Sequence, residues 1–275
     1  MLSIVLATYN EEKNIKKCLS SNLVKQVANE VVVVDGSSTD ETRKIATSLG
    51  ARVIKTTNKL NFHINKQMAM NEAKGDLVLQ LDADEVADEQ LEIFIISINN
   101  KIEKLKVENS QWAVEWKKTN PVAWEIPRKN LFLSTWLKKG GQYPDPVIRL
   151  YINGFAKLPQ KDVHEQMKVD GRVDPANGHL LHYANPKFGD YLRKFNTYTS
   201  FKAQQLKDDK LEITPFNALN YIFYKPIKTF FMLFLRHRGY VDGIAGFVFA
   251  LMSGMHHAVS YLKLWELNQK EVIND

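Results

Sequence analysis

The sequence predicts an α/β fold with a mainly parallel sheet and helices on both faces, followed by a helical C-terminal region. Over the first hundred residues, short apolar runs typical of buried strands alternate with amphipathic stretches. After residue 186 the apolar residues recur at helical spacing instead. The 275 residues, 44% of them apolar, suffice for a substantial core. The single cysteine, Cys18, excludes an internal disulfide and indicates a reducing compartment.

Four strands and three helices are expected in the first hundred residues. The apolar runs that predict strands lie at 3–7, 30–34, 51–55 and 76–81. The helices are expected at 11–19, from a capping box formed by Ser38 and Glu41 to Leu49, and at 63–73. From about residue 108 the pattern changes to tryptophan-rich and proline-punctuated segments. These segments, QWAVEW at 111–116 among them, predict antiparallel strands and loops.

Polar residues follow three of the predicted strands. They are Thr8, Tyr9 and Glu11 after the first strand, Asp35 after the second, and Asp82 and Asp84 after the fourth. Ligands of open α/β sheets bind at the carboxyl ends of strands, and two neighbouring carboxylates suit Mg²⁺ or Mn²⁺ bound to phosphates. Together they predict a nucleoside diphosphate pocket. Taken alone, the two aspartates would fit a solvated turn with a helix cap, and Tyr9 would fit plain packing.

Three motifs resemble those of a known enzyme family. TYNEEKNI, VVVVDGSSTDET and LVLQLDADE resemble, in this order and spacing, the opening half of inverting family 2 glycosyltransferases with the GT-A fold. GGQYPDPVIRLY, DVHEQM and LLHYAN extend the resemblance to about residue 185. The ending resembles the subgroup that adds glucose or a related hexose to the lipopolysaccharide inner core. The resemblance implies a nucleotide-sugar-binding half at 1–110, an acceptor-binding and catalytic half at 111–185, and a basic, aromatic, helical region at 186–275.

The resemblance also implies a role for each candidate residue. Tyr9 and Asp35 would contact the nucleobase, with Thr8 and Glu11 nearby, and Lys66 would contact the diphosphate. Asp82 would contact the ribose or the metal, and Asp84 would bind the Mg²⁺ or Mn²⁺ that bridges the donor diphosphate. Glu165 would be the general base. His182 would be a further metal ligand, although a core histidine fits its sequence context equally well, and Arg149 would fit either phosphate positioning or an outward-facing strand position.

The expected function is therefore metal-dependent transfer of a hexose, with UDP-glucose as the expected donor, to a lipopolysaccharide inner-core acceptor with inversion. A polyprenyl phosphate acceptor is the main alternative. A nucleotidyltransferase and a non-catalytic nucleotide-binding protein are further alternatives, the former disfavoured because no glycine-rich phosphate loop follows the first strand.

The C-terminal region predicts contact with a membrane surface. Residues 187–240 contain ten basic and four acidic residues, an excess equal to the net charge of +6 of the whole chain. Apolar residues from Phe216 to Phe234 recur at helical spacing between basic ones, and each basic residue near an anionic leaflet contributes roughly 1 kcal/mol. We expect an anionic membrane surface as partner, and no nucleic acid.

The segment 243–262 contains no Asp, Glu, Lys or Arg, and we expect it to lie on the membrane. Core packing or a homo-oligomer contact and a transmembrane helix are the alternatives. The N-terminus lacks the pattern of a signal peptide. The expected location is therefore cytoplasmic, peripheral on the inner face of the bacterial cytoplasmic membrane.

Overall fold

The computed structural model describes residues 1–59, 61–159 and 166–274. Two compact units divide the chain. The first consists of Met1–Arg128 and Pro146–His182, and the second of Lys129–Asp145 and Tyr183–Asp275. The division into three functional segments at residues 110 and 185 stays a prediction.

The first unit is built on four parallel strands. They are β1 Leu2–Thr8, β2 Glu30–Asp35, β3 Arg52–Lys55 and β4 Leu77–Leu81, in the order β3-β2-β1-β4. All four predicted strands are confirmed. Most side chains of β1, β2 and β4 are buried, which is typical of parallel strands covered on both faces.

Further strands extend this sheet beyond β4. They are β5 Glu85–Ala87, β6 Ala123–Phe132, β7 Thr135–Trp136, β8 Pro146–Ile152, β11 Val173–Pro175 and β12 Leu180–Asn185, while β9 Ala156–Lys157 and β10 Lys168–Val169 form a separate antiparallel pair. Two registers matter for the site. Strand β8 runs antiparallel to β4 with Leu150 opposite Leu79, and β12 runs antiparallel to β5 with His182 opposite Glu85.

Helices cover both faces of the parallel strands. The helices of the first hundred or so residues are α1 Ile15–Leu19, α2 Asn22–Gln26, α3 Thr42–Ser48, α4 Phe62–Asn71 and α5 Glu89–Glu108. Helices α1, α2, α3 and α5 pack against the face that carries Leu2, Ile4 and Leu6. Helix α4 packs against the opposite face, which carries Val5 and Val32, as the alternation of strand side chains requires. The predicted α/β class with helices on both faces is confirmed.

Two local predictions are wrong. Ser38 and Glu41 form no capping box: α3 begins only at Thr42 and Glu41 makes no side-chain cap. The hydroxyl of Ser38 donates to Asp35 instead and accepts from the backbone N–H of Asn10.

The segment QWAVEW forms no strand. It belongs to helix α6, Trp112–Thr119, and Trp116 is buried there while Val114 is exposed. The predicted helix at 11–19 also begins later than expected, at Ile15.

The second unit is largely helical, as the sequence predicts. It contains α7 Phe188–Asp208, α8 Pro215–Leu219, α9 Lys225–Phe231 and α10 Gly243–Asn274, with π-helical turns at Asn220–Tyr224 and Met232–Arg236 and a 3₁₀ turn at Gly239–Asp242. The π turns join α8 and α9 into one helical segment, 215–236, which packs antiparallel on α10. We call residues 215–269 the helical hairpin. Within the described residues, one helical stretch, 239–269, is long and apolar enough to cross a membrane by length and composition.

Candidate active site

An acidic cluster follows strand β4, where the sequence places Asp82 and Asp84. Glu85 opens β5, is fully buried, and accepts a hydrogen bond of 2.9 Å from the backbone N–H of Asp82. Because β5 and β12 pair with His182 opposite Glu85, the imidazole Nε2 of His182 lies 3.5 Å from Oδ2 of Asp84. The structure thus brings together three of the predicted site residues from segments about a hundred residues apart.

Two cations hold Asp82. The Nζ of Lys66, from α4, lies 2.5 Å from Oδ1, and Nη2 of Arg149, from β8, donates to Oδ2 at 2.6 Å. Burial raises the pKa of the Asp82 carboxyl, but the charges of Arg149 and Lys66 outweigh burial and hold the pKa below its usual range. Both oxygens of Asp82 therefore face protein cations, and its predicted contact with a ribose or a metal stays a prediction.

Arg149 connects this carboxylate to the strand beneath it. Its guanidinium also donates to the side-chain oxygen of Gln80 and lies 3.6 Å from Glu85. Glu85 receives a second cation, Arg128, at 3.4 Å. The result is a buried network in which acids and bases alternate, and its members are far apart in the sequence.

Asp84 and His182 form the second charged pair of the cluster. Their side chains are only 15% and 19% exposed. Burial lowers the pKa of His182, but the hydrogen bond and charge of Asp84 outweigh burial, so the pKa is raised above its ordinary value. The pair therefore presents a carboxylate oxygen and an imidazole nitrogen 3.5 Å apart.

This donor set fits a divalent cation that is shared with a phosphate ligand. Among the described residues, no group of three or more His, Cys, Asp or Glu side chains is arranged to hold a metal ion. Asp84 and His182 would thus supply two ligands, and water and phosphate oxygens the others. Mg²⁺ accepts such a partly non-protein shell, and imidazole is also a ligand for the softer divalent metals.

A second polar cluster lies at the ends of β1 and β2. The register pairs Thr8 with Asp35, and the Thr8 hydroxyl donates to Asp35 at 2.9 Å. The Ser38 backbone N–H and hydroxyl also donate to Asp35, at 2.8 and 2.5 Å, and Arg43 lies 3.5 Å away. Asp35 is fully buried. In this conformation the hydrogen bonds of Asp35 hold the loop after β2 in place. Its contact with a nucleobase stays a prediction.

The two clusters share one edge of the sheet. Because β2, β1 and β4 are adjacent and parallel, Asp35 and Asp82 are separated by two strand spacings, about 10 Å. Tyr9 follows Thr8 and is 44% exposed, as a ring available for stacking must be. Burial raises the pKa of Cys18, and the charges of Glu85, Asp84, Asp82 and Glu11 raise it further. The backbone N–H of Glu11 donates to the hydroxyl of Thr42, and the predicted place of Glu11 near the nucleobase stays a prediction.

Glu165, the predicted general base, lies outside the described residues. Glu85 and Arg128 were not predicted as site residues. Of the two roles open to Arg149, the outward-facing strand position is wrong, because its side chain is buried and donates to Asp82, and phosphate positioning stays a prediction. A third acid directly after Asp82 and Asp84 was the available signal for Glu85, whereas no local signal marks the two arginines.

This chain is similar to several known proteins. The family model described as Glycosyl transferase family 2 matches residues 3–139. An uncharacterised glycosyltransferase of Rickettsia typhi is 28% identical over 280 residues, which cover 98% of this chain and 88% of the relative. The poly(ribitol-phosphate) beta-N-acetylglucosaminyltransferase TarS of Staphylococcus aureus is 35% identical over 104 residues, 32% of this chain and 17% of its own length.

Solved structures also align with parts of the chain. The structure of S. aureus TarS 1–349 in complex with UDP-GlcNAc has a TM-score of 0.47 and 17% identity, and covers 94% of this chain and 81% of that one. Glucosyl-3-phosphoglycerate synthase from Mycobacterium tuberculosis, in complex with Mn²⁺, UDP-glucose and glycerol 3-phosphate, has a TM-score of 0.29 and 27% identity. It covers 35% of this chain and 37% of that one.

Proposed function

Because this chain is a glycosyltransferase with a family 2 domain over residues 3–139, we propose that it transfers a hexose from a UDP-sugar to a lipid-linked saccharide, with inversion at the anomeric carbon. One observation carries the proposal. Lys66 and Arg149 lie on Asp82, directly beside the Asp84–His182 pair, at the carboxyl edge of a parallel sheet. Two cations and two side chains that could bind a metal would therefore lie together at the edge where a diphosphate would bind.

The residues of the cluster match what a departing diphosphate requires. Asp84 and His182 would hold a Mg²⁺ or Mn²⁺, which would supply Lewis-acid stabilisation of the developing negative charge, worth several kcal/mol. Lys66 and Arg149 are 11% and 10% exposed, so their charges act with little screening by water. Asp82 orients both cations and offsets the cost of burying them.

The acceptor hydroxyl attacks the anomeric carbon from the face opposite the diphosphate. The new carbon–oxygen bond forms as the bond to the phosphate oxygen breaks, and the electron pair leaves with UDP. The hydroxyl proton passes to Glu165 as general base, which contributes roughly 10² to 10⁴-fold to the rate. One displacement inverts the sugar, so an α-linked donor gives a β-linked product.

For the acceptor we propose the inner core of lipopolysaccharide, reached from the cytoplasmic face of the membrane. The resemblance of residues 239–267 to glycosyltransferases of that pathway supports this choice. A polyprenyl phosphate acceptor is the competing assignment. It would also be lipid-borne, but it would present a phosphate oxygen in place of a sugar hydroxyl as the attacking group.

A donor screen tests the proposal directly. Purified protein is incubated with UDP-glucose, UDP-galactose, UDP-N-acetylglucosamine, GDP-mannose and ADP-heptose, each with Mn²⁺ and with chelator. We expect metal-dependent release of UDP from one UDP-sugar. Truncated inner-core oligosaccharide and a short polyprenyl phosphate are then offered as acceptors, and we expect sugar on the oligosaccharide alone. Release of GDP or ADP only, or full activity in chelator, would reject the proposal.

A further inference from the structure

The helical hairpin exposes two stripes of large apolar side chains. The first stripe, 52–77% exposed, consists of Phe216, Leu219, Phe223, Ile227, Phe231 and Leu235. The second, on α10 and 42–82% exposed, consists of Ile244, Phe247, Leu251, Met255, Leu262 and Trp265. Spacings of three, four or seven keep each stripe on one side of its helix. The wider π-helical turns within 215–236 help residues four apart to stay in line.

The two helices that carry these stripes pack closely against each other. The ring of Phe247 contacts Phe230 and Phe234, with centroids 5.6 and 5.7 Å apart. At Gly254 the helices come so close that an added Cβ would lie 2.6 Å from the carbonyl oxygen of Pro226. The twelve residues of the two stripes, which we call the hairpin face, therefore belong to one packed pair of helices. Soluble monomers rarely expose an apolar surface made of so many large side chains.

Positive charge borders the hairpin face. Between Ile213 and Trp265 the sequence has one acid, Asp242, which is buried and accepts from the backbone N–H groups of Lys138 and Lys139. The same span carries five bases, of which Lys263 bonds to α7. The other four are Lys225, Lys228, Arg236 and Arg238.

Two of these bases lie on aromatic rings. The Nζ of Lys225 is 3.4 Å from the ring centroid of Tyr221, and that of Lys228 is 5.6 Å from the ring of Tyr224. Aromatic rings and cations together are typical of the boundary between lipid chains and headgroups. A second copy of the same face would bring like charges together, which disfavours self-association.

We infer that the hairpin face binds an anionic lipid bilayer, with both helices lying in the plane of its interface. The inference rests on the proposed function in one respect, that the acceptor is carried by a membrane lipid. A spanning helix must present apolar residues all round. The inner side of α10, with Ala250, Ala258 and Tyr261 buried, packs on its own unit instead. Only the exposed apolar stripe of α10 can therefore contact lipid, as in an amphipathic helix that lies in the plane of the membrane interface.

Vesicle binding by the full chain tests the apolar part of the inference. Vesicles of phosphatidylcholine with phosphatidylglycerol are compared with pure phosphatidylcholine, and we expect binding to the anionic vesicles. The double variant Phe223→Glu, Leu251→Glu should bind roughly tenfold more weakly or worse. The matched control Ile93→Glu, Val107→Glu changes two apolar residues of α5 that are also exposed, at 61% and 90%, and should bind like the wild type.

The same vesicle assay tests the contribution of the basic residues to binding. Each basic residue near an anionic surface contributes about 1 kcal/mol, so Lys228→Gln with Arg236→Gln should weaken binding roughly thirtyfold. Lys101→Gln with Lys104→Gln, two exposed lysines of α5, removes the same charge elsewhere and should leave binding unchanged. Raising the salt concentration should weaken wild-type binding and act less on the Lys228, Arg236 variant.

Single cysteines distinguish a flat helix from a spanning one. Cys18 is the chain's one cysteine and is buried, so a fluorescent label on Ile244→Cys or Leu262→Cys reports one position. These positions lie about 27 Å apart along α10. We expect an aqueous quencher added outside the vesicles to act equally on both labels. Quenching of one label only would mean that α10 spans the bilayer and would overturn the in-plane arrangement.

The remaining outcomes are also decisive. Equal vesicle binding by the wild type and the Phe223, Leu251 variant would overturn the inference, as would dimers that this variant abolishes without any vesicle binding. UDP release is measured in parallel in vesicle-free buffer. If release occurs and vesicle binding does not, the inference fails and the donor chemistry stands. If vesicle binding occurs and no donor is consumed, the proposed function fails and the membrane surface stands.

Discussion

The acidic cluster and the hairpin face differ in whether their side chains find partners within the chain. In the cluster the chain supplies partners for its own buried charges: Lys66 and Arg149 for Asp82, and His182 for Asp84. On the hairpin face twelve large apolar side chains are 42–82% exposed. The side chains proposed to act in sugar transfer are thus fixed by pairing within the chain, whereas the proposed partner of the hairpin face is a membrane outside it. Substitutions in one region should therefore alter turnover or stability, and substitutions on the other should alter location.

The largest effect is expected at Asp84. Asp84→Asn keeps the shape but removes the charge that would bind the metal, so transfer should fall roughly a thousandfold or more. Mn²⁺ affinity, measured by calorimetry in the presence of UDP, should fall as well. Vesicle binding should be unchanged, which would sharpen the contrast between the two regions.

Asp170→Asn is the matched control for Asp84, because Asp170 is an exposed acid of the same unit, 80% exposed and paired with Lys117. It should leave turnover and Mn²⁺ affinity unaltered. Wild-type turnover in purified Asp84→Asn protein would remove Asp84 from the site.

Glu165→Gln should have the next largest effect. Loss of a general base should lower transfer by roughly a hundredfold or more while donor binding is retained. The measurement is the turnover number with saturating donor, beside the dissociation constant of UDP. Transfer close to that of the wild type would mean that another group takes the proton.

The strands and the acids that follow them were predictable because both are local. A buried parallel strand is a short apolar run, and its end is where polar residues begin, so Asp35, Asp82 and Asp84 could be placed from their neighbours alone. The error at α6 has a local cause too. Trp112, Val114 and Trp116 alternate with polar or small residues as in a strand. In the structure only Trp112 and Trp116 pack in the core, and their spacing of four residues is that of one face of a helix.

The rest of the cluster depends on pairings between distant segments. Arg149 reaches Asp82 only because β8 runs antiparallel to β4, and His182 reaches Asp84 only because β12 pairs with β5. Nothing near either residue in the sequence encodes those registers. The capping box failed for a similar reason. A helix cap would need the Ser38 hydroxyl as an acceptor, but this oxygen accepts from the backbone N–H of Asn10, which follows β1, while the hydroxyl donates to Asp35.

Arg149→Met tests how far the internal pairing stabilises the fold. Removing one partner of a buried ion pair costs about 3–5 kcal/mol, because the remaining acids stay buried. We expect a loss of that size in the free energy of unfolding in urea. Arg172→Met removes an exposed pair with Asp174, 58% and 40% exposed, and should cost at most about 1 kcal/mol.

The pH dependence of unfolding gives a second measure of this pairing. In the wild type the pKa of Asp82 lies below its value in the unfolded chain, so its stabilisation is present above about pH 4 and is lost as the pH falls. Arg149→Met should weaken that acid-side loss. Equal urea stability of the wild type and the Arg149 variant would show that the pairing is not what holds the cluster.

The smallest effect, and the one that probes the hairpin itself, is expected at two helical glycines. At Gly254 an added Cβ would lie 2.6 Å from the carbonyl oxygen of Pro226, whereas at Gly189 in α7 it would meet no atom within 4 Å. Alanine favours a helix over glycine by up to about 1 kcal/mol, but overpacking costs about 1–3 kcal/mol. Gly254→Ala should therefore lower the free energy of unfolding and Gly189→Ala should raise it slightly. If both raise it, the two helices are not held in close contact, and the hairpin face would not act as one surface.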